Sequence, residues 1–95
     1  GELIDLFLSD APGKIAQAQK AIDAENAAET REAIHSLKGS ARNLHAEALA
    51  RACENLEQQS KKGRLESAAA DLKRIEEELQ KVIAVLEGEK VRLGL

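Results

Sequence analysis

Apolar residues recur along this chain at alternating spacings of three and four. That periodicity constrains the fold more than any other feature. Its longest run is Leu65, Ala68, Leu72, Ile75, Leu79, Val82 and Leu86. Only an α-helix gathers such positions onto one face, because about 3.6 residues complete a turn. The residue types agree with the spacing. The chain holds 17 Ala and 13 Leu but a single aromatic residue, Phe7. Ala and Leu are strong helix formers, whereas sheets favour aromatic and β-branched side chains. An all-α fold is expected rather than a β-sandwich or barrel.

Three shorter seams precede the longest one. Ile4, Leu8, Ala11, Ile15, Ala18 and Ile22 predict a first helix over about 2–24, kinked at Pro12. Asn26 with Glu29 three residues later is a capping box, and Thr30, Ile34, Leu37, Ala41 and Leu44 carry a second helix over about 27–44. Its end is expected at Asn43-Leu44-His45, since Asn and His tolerate left-handed backbone. Leu49, Cys53, Leu56 and Ser60 give a third helix over about 46–62, closed by Lys61-Lys62-Gly63. The fourth spans about 65–87, with Gly88 as its stop and 89–95 as a frayed tail or linker. Its run of charges reads as a solvated face with pairs such as Glu77–Lys81. Short connections force neighbours to run antiparallel, so the expectation is an up-down-up-down four-helix bundle over 1–88.

The 95 residues suit one domain, and the net charge of -3 argues against nucleic acid as a partner, as does the lack of aromatics for base stacking. No apolar run is long enough for a membrane span, so direct membrane contact is not expected. Cys53 has no partner for a disulfide, and its seam position predicts a buried, inert thiol, compatible with a reducing compartment. There is no basic leader segment and no initiator Met, so a piece of a longer polypeptide is expected.

The two histidines are the main candidates for chemistry. His35 lies roughly 140° around its helix from the centre of the Leu37/Ala41 seam, so it should face solvent. Arg31, Lys38, Gly39 and Arg42 stand at helical spacings that share its face. Cations beside an imidazole favour its neutral, nucleophilic form and can offset the charge of a phosphate. Gly39 lowers helix propensity by about 1 kcal/mol relative to Ala, which is understandable if another group must approach closely. The residues alone leave open a surface histidine beside a stray glycine. His45 is read as a helix-terminal residue, ten positions from His35 and without metal-site spacing.

The string His35-Ser36-Leu37-Lys38-Gly39-Ser40 resembles the His-x-x-Lys-Gly core of histidine-containing phosphotransfer (HPt) domains, the four-helix modules of bacterial two-component phosphorelays. The likeness extends to Phe7-Leu8-Ser9-Asp10-Ala11-Pro12, Asn43-Leu44-His45-Ala46 and Cys53-Glu54-Asn55-Leu56-Glu57. It implies that His35 accepts a phosphoryl group on Nε2 from a receiver-domain aspartate and passes it to another. Lys38 would steady the phosphate, Gly39 would leave room for the partner's loop, and Glu57 would hold the histidine's Nδ1. Docking of receiver domains is expected on an exposed apolar rim around Phe7 and Ala11, with Arg31 and Arg42 on the second helix. Phe7 also lies beside the Ile4/Leu8 seam, which makes the core its alternative location. No cofactor is implied for this chain, and Mg²⁺ would sit on the receiver. His45 departs from the glycine usual in the turn after the second helix.

The implied setting is cytoplasmic, including the cytoplasmic part of a hybrid sensor kinase. Such a chain carries phosphoryl groups without an ATP site of its own. Two other readings share the fold. One is the autophosphorylated substrate domain of a chemotaxis-type histidine kinase, which makes a kinase a further partner. The other is a helical docking or dimerisation bundle in which His35 is incidental.

Overall fold

The computed structural model describes residues 2–92, with side chains over 3–88. Four helices follow in order: α1 (Glu2–Asp23), α2 (Ala27–Asn43), α3 (Glu47–Lys61) and α4 (Ala68–Arg92), with no strand among the described residues. Each helix packs on its neighbours in sequence, and α4 closes the ring against α1. The connections at 24–26 and 44–46 are too short to cross a helix length, so adjacent helices run antiparallel. This is the expected four-helix bundle, 44 Å long and 19 × 18 Å across.

The helix ends come from local chemistry. Asn26 Oδ1 accepts from the Glu29 amide at 3.0 Å and caps α2. The reciprocal half of a capping box is not made, because the Asn26 amide bonds back to Ala21 O at 2.8 Å. That bond and Glu25 N–H to Ile22 O, 2.9 Å, close α1 in a Schellman turn with Glu25 at φ 54°. The same arrangement ends α2: Ala46 N–H reaches Ala41 O at 2.8 Å, His45 N–H reaches Arg42 O at 3.0 Å, and His45 has φ 58°. The end expected at Asn43-Leu44-His45 is therefore present, with His45 in the left-handed position where glycine is usual. After α3 the left-handed position falls to Gly63, φ 73°.

Three expectations for the fourth helix are corrected. It begins at Ala68 rather than 65, with Ser67 Oγ donating to Asp71 Oδ2 at 2.8 Å beneath its first turn. It also does not stop at Gly88 but runs to Arg92. A glycine lowers helix propensity by about 1 kcal/mol without breaking the ladder, and good helix formers follow it. Residues 93–95 of the expected tail lie outside the described residues. Lys81 pairs with the buried Glu78 at 3.1 Å, in place of the expected Glu77 pairing, and Arg74 approaches the same carboxylate at 3.5 Å.

The core is aliphatic and dense with small residues. Ile34, Leu37, Leu49, Leu56 and Ile75 are fully buried, as are Ala18 and Ala41, and Leu72, Ala11 and Ala68 are nearly so. Phe7 and Ala11 are 3% and 1% exposed, so they do not form the exposed apolar rim expected of them. The apolar face of α1 turns toward Phe7, Ala11 and Ala18, leaving Ile4 and Leu8 partly exposed. An aromatic ring removes more apolar surface from water than the aliphatic residues beside it, and the neighbouring alanines leave it room. Leu3 and Leu6 are the exposed large apolar side chains of α1.

Left-handed backbone is strained for residues with a side chain. Replacing Glu25 or His45 by Gly should therefore raise stability by about 0.5–1 kcal/mol each, net of the entropy that Gly adds to the unfolded chain. Gly63→Ala should lower it by a similar amount. Urea unfolding midpoints at constant slope would check all three.

Candidate functional site

The site lies on the α2–α3 face. His35 projects from mid-α2 with 67% of its side chain exposed, as its angle to the seam requires. Glu57 reaches it from α3. This carboxylate sits one residue past the buried Leu56 and four past the buried Cys53, so it flanks the seam and turns inward. Its side chain is only 9% exposed.

Glu57 Oε2 lies 2.7 Å from His35 Nδ1, and Lys38 Nζ lies 2.5 Å from Glu57 Oε1. Burial opposes ionisation of Glu57, but hydrogen bonds from Lys38 and His35 outweigh it and hold the carboxyl below the usual carboxylate range. An ionised Glu57 can only accept, so Nδ1 carries the proton and donates. In the neutral ring that leaves the Nε2 lone pair on the exposed side.

Lys38 does not share the exposed face of His35 as expected; its side chain is 10% exposed. At about 80° from the seam centre it lies between the core and His35, on the side where α3 packs. There its ammonium meets a second carboxylate, Glu54 Oε2, at 2.7 Å. Hydrogen bonds to Glu54 and Glu57 raise the Lys38 pKa above that of an ordinary lysine. Glu54 is held low by its bond from Lys38 and by Gln58 Nε2, 3.1 Å from its other oxygen. Glu54 was not singled out from the sequence. Its signal was a spacing of three from Glu57, which puts both acids on the edge of α3 that faces α2.

The remaining expected residues divide. Arg31 and Arg42 are exposed on α2, and Gly39 is exposed with nothing beyond its own stretch of helix within 4 Å of where a Cβ would stand. Nothing inside this chain requires a glycine there. Phe7 and Ala11 belong to the core, away from solvent. Cys53 is fully buried, and burial followed by the nearby Glu57 charge pushes its thiol up to about 12, so it is inert as expected. Among the described residues, no group of three or more His, Cys, Asp or Glu could hold a metal ion. None of the described helices is long and apolar enough to cross a membrane.

The arrangement is an oriented, solvent-facing imidazole on a rigid two-helix support, with a buried cation held nearby. Comparison with known proteins identifies the family. The structure superposes with a TM-score of 0.92 on the crystal structure of histidine-containing phosphotransfer protein B (HptB) from Pseudomonas aeruginosa PAO1. The two are 31% identical over 95% of this chain and 78% of that one. No curated protein matches the sequence. The model of the Hpt domain family matches residues 2–85, nearly the whole bundle. The chain therefore belongs to the Hpt domain family, the histidine phosphotransfer modules of phosphorelays.

Proposed function

We propose that His35 is the phospho-accepting residue and that it exchanges a phosphoryl group with aspartates of response-regulator receiver domains in the cytoplasm. The observation that carries this reading is the 2.7 Å contact between Nδ1 and the buried Glu57, beside a ring that is otherwise exposed. Glu57 fixes the tautomer that leaves Nε2 nucleophilic, and it offsets the positive charge that develops on the ring as Nε2 bonds to phosphorus. The aspartyl oxygen leaves as a carboxylate, and transfer to a second receiver reverses the same steps. The receiver supplies the aspartate and its Mg²⁺; this chain supplies the aimed imidazole. Gly39 and the exposed Arg31 and Arg42 flank the ring where a receiver loop would seat. A kinase as direct donor is the second reading, favoured by the carboxylate at position 57. ATP with a kinase catalytic domain and no receiver would reveal it.

Incubation with a phosphorylated receiver should label the domain with acid-labile, alkali-stable phosphate. Labelling that persists in His35→Gln would overturn the assignment. Gly39→Ala separates stability from docking. It should raise helix stability by up to about 1 kcal/mol, since the methyl group meets nothing inside the chain. It should also slow transfer from a receiver about tenfold or more, because a misplaced partner loses alignment. Equal transfer rates would remove Gly39 from the interface.

A pH series tests Glu57. Its folded pKa is depressed, so the unfolded chain binds more protons in mild acid. The stability it contributes is complete above the ordinary value of 4.5 and is lost as pH falls through the lower folded value. Unfolding free energy measured against pH should fall less steeply in acid for Glu57→Gln than for the natural chain.

A further inference from the structure

The ammonium of Lys38 is already occupied when His35 is empty. Its two acceptors differ in kind. Glu57 is 9% exposed and its other oxygen holds His35, so that carboxylate has no freedom to leave. Glu54 is 40% exposed, is held independently by Gln58 at 3.1 Å, and faces the positive charge of Arg42. A phosphoryl group on Nε2 would stand on the side of the ring opposite Nδ1, away from the Glu57 oxygen that Nδ1 contacts. The Lys38 ammonium keeps a third N–H, but two carboxylates hold it in the α2–α3 seam with its side chain 10% exposed. To turn out toward that phosphate it must loosen one of them, and only the solvated one can be loosened without stranding a buried charge.

We propose that Glu54 is a positioning residue for phosphoryl uptake: it parks the Lys38 ammonium beside Glu57 while His35 is empty, and it gives that ammonium up to the incoming phosphate. This rests on His35 being the acceptor. Glu54 is then a brake of modest strength, because its contact with Lys38 exists before transfer and is broken during it. Removing the contact lowers the barrier to uptake without altering Nε2 or its tautomer.

Phosphoramidate, a small donor that needs no docking surface, isolates the effect. The Nε2 lone pair attacks the phosphorus of the N-protonated donor, the N–P bond to His35 forms, and the donor's own P–N bond breaks as ammonia leaves with the proton already on its nitrogen. The Nδ1 proton stays on the ring, donated to Glu57. Phosphorus NMR follows the label in the intact chain. Glu54→Gln should take up phosphate about two- to fivefold faster than the natural chain, the scale of a half-exposed ion pair. Glu54→Asp keeps the charge but shortens the reach, and it should reproduce the gain. In a Lys38→Ala background neither substitution should change the rate. An unchanged or slower Glu54→Gln overturns the proposal. So does a gain that survives in Lys38→Ala, which would mean simple relief of repulsion between Glu54 and the anionic donor. Absence of label on His35 in the natural chain is a separate result, and it would overturn the acceptor assignment and this inference together.

Discussion

One carboxylate joins the fold to its chemistry. Glu57 is buried in the α2–α3 seam, where an unpaired charge would cost several kcal/mol. Each of its oxygens meets a partner from α2, Lys38 on one side and His35 on the other. The imidazole is therefore aimed by a group that cannot itself move. Removing Lys38 would strand that charge, while removing His35 would leave the Lys38 pair intact. The two neighbours are thus unequal: Lys38 makes the buried acid tolerable, and His35 makes use of it.

Close packing of α2 and α3 is the precondition. Leu37 and Ala41 on one helix and Leu49, Cys53 and Leu56 on the other have no exposed surface. Deleting such side chains typically costs about 2–5 kcal/mol, so rotation of one helix against the other is strongly resisted. A rotation of a few tens of degrees would carry Glu57 out to water and break both contacts. The alanine-rich composition serves the same end, because small side chains let the helices approach closely.

Much of the architecture could be read residue by residue. The spacing of apolar positions located four helices, Asn26 capped the second, and His45 took the left-handed turn that its side chain tolerates. The exposure of His35 followed from its angle to the Leu37/Ala41 seam. The structure departs from the sequence pattern where local rules compete. Phe7 and the Ile4/Leu8 stripe each offered an inward face for α1, and the bundle took the ring because it buries more surface. Gly88 resembled a stop but has no left-handed turn, so α4 continued past it.

The sequence by itself determined whatever depends on neighbours along one helix. Periodicity set the helix faces, and the placement of His35 three and four residues before Lys38 and Gly39 marked where chemistry could reside. Tertiary structure alone decided which groups meet across helices. His35 and Glu57 are separated by 22 residues, and Lys38 and Glu54 by 16. Whether those side chains touch or miss depends on the rotation of α3 about its own axis relative to α2. That rotation is set by the packing of both seams together, a quantity no single stretch of sequence contains.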